Sequence, residues 1–166
     1  QGYFQETTQG LLWTYEDDKV KITREVRSVN EQPYLTLNYN LEFKAKRPSF
    51  AFISLSSQSV ADDKEAADRQ LNYWSDKTLE RVTVEDGIKR KDITTPVKYI
   101  AATNRYFLMT VVAEGPLEPK GQVMPLAMGA GRVSLVYPVT GNSMTIPTRV
   151  FFGPKELDVL RKVDPA

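Results

Sequence analysis

Two short runs of carboxylates are the first candidates for chemistry, because clustered acidic side chains can bind a divalent cation. The runs are Glu16-Asp17-Asp18 and Asp62-Asp63. A calcium loop needs acidic residues at alternating positions, followed by a distal glutamate. Neither run has that pattern, so both are interpreted as solvated turns and no metal site is predicted.

A segment with two glycines is the second candidate, since the backbone N–H groups of glycine-rich loops can bind phosphate. Met128-Gly129-Ala130-Gly131-Arg132 superficially resembles such a loop. Phosphate-binding loops open a helix, whereas this segment leads into the strand-like run 133–139. It is therefore interpreted as a flexible connection.

Two residue types are missing from the chain, and their absence reduces the number of reactions that the protein could catalyse. The 166 residues include no cysteine and no histidine. This composition removes disulfides, thiolate metal sites and every Ser-His-Asp arrangement. Carboxylates and lysines can still catalyse reactions, but the commonest general base is missing. We therefore predict a protein that is not an enzyme and that needs no cofactor.

Charge and hydropathy limit the possible partners. The chain has 22 Lys and Arg against 21 Asp and Glu, and its net charge of +1 gives no long-range attraction to nucleic acid. No apolar run approaches the roughly 20 residues that a membrane-spanning helix needs, and no signal-peptide pattern opens the sequence. The basic cluster Lys89-Arg90-Lys91 is interpreted as a solvated hairpin arm, with contact to lipid headgroups as the alternative.

Aromatic side chains offer a possible binding cleft. Tyr73, Trp74, Tyr99 and Tyr106 are candidates for the floor of a cleft that binds sugar. In a β-sandwich, however, aromatic residues more often belong to the core. The sequence leaves both interpretations open.

The last nineteen residues combine a strand with an amphipathic segment. The pattern predicts a strand over Thr148 to Phe152, a break at Gly153-Pro154 and a short helix over 153–164. Glycine suits a helix N-cap and proline suits the first helical position. The helix either covers the end of a sheet or docks onto a partner. The residues predicted to bind a partner are Lys155, Leu157, Leu160, Arg161 and Lys162.

Apolar residues alternate with polar ones along most of the remaining chain, which is typical of β-strands. Strands are predicted over 11–15, 20–26, 35–43, 50–55, 79–84, 88–93, 98–113 with a break at Asn104-Arg105, 133–139 and 144–152. Residues 1–10 are predicted to be frayed, residues 61–71 to form a helical turn or loop, and residues 114–125 to form a loop with one edge strand.

Turn signals and prolines complete the prediction of the fold. Asn30 to Pro33 predicts the turn of an antiparallel hairpin between the runs 20–26 and 35–43. Asp86-Gly87 predicts a second hairpin between the strands on either side of it. Pro138 and Pro147 predict that the last two strands lie at an edge or carry bulges. About ten short strands at regular spacing predict an all-β fold, in which residues 1–166 form a single antiparallel sandwich of two sheets.

Two segments resemble a known family. Lys98 to Ala113, with Tyr106-Phe107-Leu108 at its centre, resembles the aromatic strand in the large periplasmic domain of Gram-negative YidC-type membrane protein insertases. Residues 151–160 (FFGPKELDVL) closely resemble the strand, Gly-Pro step and helix with which that domain ends. The position of Asp86-Gly87 ahead of the first segment agrees in order and spacing. The resemblance extends over Val82 to Ala113 and Thr148 to Asp164.

This resemblance implies a β-supersandwich of the galactose mutarotase type, located between the first two transmembrane helices of an insertase. Those helices lie outside this sequence and would tether the domain to the membrane. The family inserts and folds inner-membrane proteins, alone or beside the Sec translocon. The resemblance therefore implies a non-catalytic domain on the periplasmic side of the cell inner membrane. Its implied partners are the translocon, the accessory subunits of the translocon and, through the full-length protein, inner-membrane protein substrates. The alternative function is that of a carbohydrate-binding β-sandwich module.

Overall fold

The computed structural model describes residues 2–7, 10–57, 69–75, 77–83, 88–127 and 130–155. These residues form thirteen β-strands and, within the described ranges, no α-helix. The strands are β1 (Gly2–Thr7), β2 (Gly10–Glu16), β3 (Val20–Ser28), β4 (Leu35–Phe43), β5 (Phe50–Ser57), β6 (Gln70–Ser75), β7 (Thr78–Thr83), β8 (Lys91–Ile93), β9 (Val97–Thr103), β10 (Phe107–Ala113), β11 (Lys120–Pro125), β12 (Gly131–Pro138) and β13 (Ser143–Pro154).

All the strand pairs are antiparallel, and they form two sheets. The nine-stranded sheet has the order β1-β2-β3-β4-β13-β10-β9-β6-β7, and the four-stranded sheet has the order β5-β12-β11-β8. The prediction of an antiparallel two-sheet sandwich is therefore confirmed. The predicted C-terminal helix lies almost entirely outside the described residues.

The core lies between the four-stranded sheet and the middle of the nine-stranded sheet. Strands β5 and β12 pack against β6 and β9. Alternate residues of β12 are fully buried there, because every second side chain of a strand points to the same face. The buried core cluster comprises Leu55, Leu71, Tyr73, Ile93, Val97, Ile100, Val111, Val123, Val133, Leu135, Tyr137 and Ile146.

The first strand was not predicted, because residues 1–10 look polar and were expected to be frayed. Residues Gly2–Thr7 instead pair in register with β2, so that Phe4 lies opposite Trp13 and Tyr3 lies opposite Thr14. All six residues of β1 are exposed. Backbone pairing with an available edge, rather than burial, accounts for this strand.

The predicted hairpin at Asp86-Gly87 is wrong. Strand β7 pairs with β6, whereas β8 pairs with β11 in the other sheet. Residues 84–87 themselves lie outside the described part of the chain. A two-residue turn signal predicts only that the chain changes direction. It does not predict which strand will pair with the strand that follows the turn.

The prolines do not mark sheet edges. Strand β12 lies between β5 and β11, and β13 lies between β4 and β10. Pro138 ends β12, while the carbonyl of Pro147 accepts a hydrogen bond of 3.1 Å from the backbone N–H of Glu114. In an antiparallel strand, the N–H and C=O of one residue point to the same neighbouring strand. The position at which Pro147 lacks an N–H therefore faces the end of β10. The ladder between β10 and β13 stops at Ala113, so no pairing within it is lost.

Three other boundaries differ from the predictions. Strand β11, expected at an edge, lies between β8 and β12. Leu71 belongs to β6 rather than to a helical turn, and residues 61–68 lie outside the described ranges. Strand β13 continues through Gly153 and Pro154, which pair with Leu108 and Phe107 of β10. The predicted break at these two residues is therefore wrong, because the edge of β10 extends far enough to pair with them.

Candidate functional site

The turn between β9 and β10 presents side chains at one end of the sandwich. The side-chain oxygen of Asn104 accepts hydrogen bonds from the backbone N–H groups of Tyr106 (2.9 Å) and Phe107 (2.8 Å). The Asn104 N–H in turn donates to the carbonyl of Phe107 at 3.1 Å. Asparagine is suited to this role because its side chain can replace a backbone group in a tight turn. The turn thereby fixes the start of β10.

Four large apolar side chains are exposed at this end of the sandwich, and we call them the aromatic tip: Tyr106, Phe107, Met109 and Phe152. Phe152 is 71% exposed and Phe107 is 47% exposed. Their rings stack with centroids 6.2 Å apart and planes 10° from parallel. Met109 lies directly opposite Phe152 in the register of β10 and β13. Phe107, Met109 and Phe152 therefore form one apolar surface, with Tyr106 in the adjoining turn, and such surfaces commonly mark contact sites.

Two cations border the aromatic tip. The guanidinium of Arg105 lies 5.5 Å from the centre of the Tyr106 ring. Lys155 follows the last residue of β13, and its backbone N–H donates to the Tyr106 carbonyl at 3.0 Å. Both residues are exposed. Aromatic rings with cationic side chains beside them are typical of protein interfaces and of surfaces that contact lipid headgroups.

The C-terminal residues predicted to bind a partner are only partly described. Lys155 lies beside the aromatic tip, at the point where the described chain ends. Leu157, Leu160, Arg161 and Lys162 lie outside the described residues, and their proposed role stays a prediction.

The four aromatic residues predicted to line a cleft are not brought together. Tyr73 is buried in the core, where its hydroxyl accepts a hydrogen bond of 2.6 Å from Nζ of Lys91. Trp74 points to the opposite face of β6 and stacks on Tyr99, with centroids 6.1 Å apart. Tyr106 belongs to the aromatic tip. The residues thus occupy three separate places.

The basic cluster is engaged in local contacts rather than presented on a hairpin arm. The hydrogen bond from Lys91 to Tyr73 raises the pKa of that lysine. Arg90 forms an ion pair of 3.5 Å with Asp92. Two of the three cations thus have partners within the sandwich, which weakens the case for a lipid contact at this cluster.

The first acidic run forms a turn, as predicted. One oxygen of the Asp17 carboxylate accepts hydrogen bonds of 2.8 Å from the backbone N–H groups of Val20 and Lys19, and the other accepts one of 3.0 Å from Tyr15. Within the described residues, no cluster of acidic side chains is suited to a metal ion. Asp62-Asp63, Met128 and Gly129 lie outside those residues.

No helix in the described ranges is long and apolar enough to cross a bilayer.

The Asp17 turn leads to a prediction about acid. Hydrogen bonds from the backbone of Val20 and Lys19 hold the pKa of this carboxyl below its usual range. A lowered pKa contributes stability above the pKa of the unfolded chain, and this contribution is lost as pH falls through the lower, folded value. Asp17→Ala should therefore lower the melting temperature by a few degrees at pH 7, and the difference from the parent should shrink as pH falls through the lowered pKa of the folded state. Thermal melts of both proteins from pH 2 to pH 7 would check this, and a constant difference would contradict it.

Sequence reasoning missed Phe107, Met109 and Phe152 as an exposed surface. It assigned residues 98–113 to two core strands, and the strands are indeed present as β9 and β10. The available signal was the Asn104 turn, because large apolar residues directly beside a tight turn are close to solvent on at least one side.

The chain is thus an antiparallel β-sandwich with an exposed apolar surface at one end. No family model and no curated protein sequence matches this chain. The fold is similar to parts of three GH36 α-galactosidase structures from Geobacillus stearothermophilus. A variant of AgaA in complex with 1-deoxygalactonojirimycin and the enzyme AgaB each match with a TM-score of 0.57 and 12% identity. AgaA itself matches with a TM-score of 0.55 and 11% identity.

These matches cover 95 to 96% of this chain but only 28 to 29% of each galactosidase. The chain therefore spans less than a third of the length of those proteins. At this identity the likeness establishes the shared sandwich fold and does not extend to activity.

Proposed function

We propose that this chain is a non-catalytic periplasmic domain of a YidC-type membrane protein insertase and that it binds its partners through the aromatic tip. The observation that carries the proposal is the exposed, stacked pair of Phe107 and Phe152 at the end of the sandwich where the described chain leaves β13. In the resembling family, the segment after this strand leads back to the membrane. The tip is thereby assigned to the membrane-proximal end of the domain.

The chemistry of the tip supports a protein contact. Fully buried aromatic anchors supply much of the binding energy of protein interfaces, and arginine is enriched beside them. Phe107 and Phe152 leave much of their area in water, so a partner that covers them would gain the corresponding hydrophobic free energy. Arg105 and Lys155 at the border would favour an acidic rim on the partner.

The proposed partners are components of the Sec translocon and its accessory subunits. Inner-membrane protein substrates are reached through the full-length protein, whose transmembrane part would carry out insertion. The domain would lie on the periplasmic side of the inner membrane and would need no cofactor. The thirteen strands formed by the described residues would support the tip.

Site-specific photo-crosslinking in the full-length protein tests this proposal. We expect a photoreactive phenylalanine analogue at Tyr106 or Phe152 to capture translocon subunits or their membrane neighbours. Phe50 is the matched control, because it is 50% exposed but lies on β5 of the other sheet. Positions Leu160 and Arg161 extend the test to the segment after Lys155. Equal capture at Phe50 and Phe152 would count against a specific surface at the tip.

A carbohydrate-binding module is the second candidate function. It is favoured by the similarity of the fold to parts of α-galactosidases and by the stacked pair of Trp74 and Tyr99. A panel of neutral sugars should then change the fluorescence of Trp74 at millimolar concentration. An unchanged spectrum across the panel would remove this candidate.

A further inference from the structure

A row of large side chains crosses the inner face of the nine-stranded sheet, away from the aromatic tip. In the register of β1 to β4, Phe4 lies opposite Trp13, Trp13 opposite Arg24, and Arg24 opposite Tyr39. Residues directly opposite one another in neighbouring strands point to the same face. A cation therefore lies in the middle of a row of aromatic rings.

The geometry of Arg24 is set by its neighbours. Its guanidinium carbon lies 4.9 Å from the centre of the Trp13 ring, and the side chain forms a hydrogen bond with the hydroxyl of Tyr39. The rings of Trp13 and Tyr15 are nearly parallel, with centroids 6.2 Å apart. Arg24 thus interrupts an otherwise apolar alternation along β3, and this departure from the pattern is visible in the sequence as well.

The charge of Arg24 has no anionic partner within the part of the chain that the structure describes. No carboxylate of those residues forms an ion pair with it, whereas Arg27 on the same strand pairs with Glu25. The Nε atom of Arg24 is buried and has no hydrogen-bond acceptor. A partly buried charge without an anionic partner lowers the stability of a protein, so such a group is expected to serve another purpose.

A second polar group in the same region also has no partner. Tyr137 is fully buried, and its hydroxyl has no hydrogen-bond partner. Burial raises the pKa of this hydroxyl, and Tyr39 packs against the core cluster to which Tyr137 belongs. Unsatisfied buried polar atoms are uncommon and require an explanation. Here one belongs to Arg24, which lies opposite Tyr39, and the other belongs to the core cluster against which Tyr39 packs.

The row runs from the core toward solvent. Strands β5 and β12 of the second sheet pack against β6 and β9, at the far side of the large sheet from β1. Tyr39 packs against the core, while Phe4 on β1 is exposed. Trp13 and Arg24 are half-buried between them. A ligand could therefore reach Arg24 along the aromatic row from the β1 edge.

We propose that Arg24, together with Trp13 and Tyr39, binds the carboxylate of a ligand whose apolar body lies against Trp13 and Phe4. A guanidinium binds a carboxylate through two parallel hydrogen bonds, and the buried Nε provides a donor for this geometry. The carboxylate could belong to an acidic sugar or to a peptide. This site is separate from the aromatic tip and does not depend on the assignment to an insertase.

Paired probes that differ only in the carboxylate test the proposal. The sugar pair is galacturonate and galactose, and the peptide pair is an apolar peptide with a free C-terminal carboxylate and the same peptide as an amide. Binding is measured by calorimetry and by Trp13 fluorescence in a Trp74→Phe background. We expect the acid of at least one pair to bind at least about tenfold more tightly than its neutral counterpart, which corresponds to about 1.4 kcal/mol. The pair that responds identifies the source of the carboxylate.

Arg24→Met and Arg27→Met form a matched pair of variants on β3. The preference for the acid should disappear in Arg24→Met and persist in Arg27→Met, whose side chain lies on the opposite face. Arg24→Lys should also weaken binding, because lysine cannot form the bidentate contact. No preference for the acid in either pair, or a preference that survives Arg24→Met, would overturn the proposal.

A stability measurement separates a binding role from a structural one. Because Arg24→Met removes a charge that lacks an anionic partner, its melting temperature should equal or exceed that of the parent. A marked fall in melting temperature, combined with unchanged affinity for the acid, would show that Arg24 serves only to pack against Trp13.

Discussion

Replacing Phe107 and Phe152 together by serine is expected to abolish crosslinking from Tyr106 in the full-length protein without unfolding the domain. Both side chains are exposed and stacked on each other, so the folded domain gains little from them. A partner that buries them would lose two aromatic anchors, each of which commonly contributes about 2 kcal/mol or more to binding. The yield of crosslinked product should therefore fall by more than about tenfold.

The stability of this double variant provides the internal control. Substitutions at exposed positions usually change stability by less than about 0.5 kcal/mol each, so the two together should lower the melting temperature by no more than about 4 °C in a protein of this size. A second double variant, Phe50→Ser with Phe52→Ser, removes two comparably exposed rings from β5. It should leave the crosslinks unchanged. Loss of crosslinks in the β5 variant, or their persistence in the tip variant, would contradict the role assigned to the tip.

Leu135→Ala is expected to cost the isolated domain about 2–5 kcal/mol of unfolding free energy. Leu135 is fully buried near the middle of β12, between β5 and β11 and facing the large sheet. Truncation would remove the transfer free energy of the side chain and leave a cavity where β12 packs against β6 and β9. The loss is large compared with the total stability of about 5–15 kcal/mol that single domains usually have.

Chemical denaturation of Leu135→Ala and Leu35→Ala would measure this difference directly. Leu35 is 43% exposed at the start of β4, so its truncation should cost much less. A similar loss for the two variants would mean that the packing between the sheets is not the main source of stability.

Strand positions could be predicted from the sequence because the two-residue period is a local property. The run 35–43 alternates cleanly and forms β4, and the break at Asn104-Arg105 separates β9 from β10. The side chains of β4 that alternate in the sequence alternate between the two faces of the sheet, whereas β9 and β10 were predicted from their aromatic and β-branched residues. The antiparallel sandwich followed from the number and spacing of such runs.

The hairpin predicted at Asn30 to Pro33 is confirmed, because β3 and β4 pair with each other. Most other strand pairs could not be predicted, because pairing depends on which edges meet in space. The Asp86-Gly87 signal suggested that β7 and β8 pair, yet they belong to different sheets. Residues 1–10 were predicted to be frayed because they are polar, yet Gly2–Thr7 forms β1 by pairing with the edge of β2. Pro147 suggested an edge strand, yet β13 is central because the proline lies at the point where β10 ends.

The candidate sites were only partly visible in the sequence, for the same reason. Exposure of Phe107 and Phe152 depends on where the four-stranded sheet stops, which alternation alone does not reveal. Arg24, by contrast, interrupts the apolar positions of β3, and a charge at such a position is a signal that can be read without a structure. Tyr73 and Trp74 are adjacent in the sequence, but they point to opposite faces of β6 and serve different contacts.

The proposed function combines a rigid sandwich with two separate recognition surfaces. The aromatic tip would hold the domain against translocon components near the membrane, and the Arg24 row would bind a carboxylate on strands β1 to β4, toward one edge of the large sheet. Neither role requires a reaction, which agrees with the lack of histidine and cysteine in the sequence.

Membrane topology of the full-length protein is the most direct test of the central claim, that this domain is part of a membrane-tethered insertase and faces the periplasm. The chain contains no cysteine, so Ser56→Cys on the exposed face of β5 introduces one thiol for labelling, with any cysteines elsewhere in the full-length protein replaced. We predict that the protein fractionates with the inner membrane and that a membrane-impermeant maleimide labels it in intact spheroplasts. Recovery in the soluble fraction, or labelling only after the inner membrane is lysed, would contradict the claim.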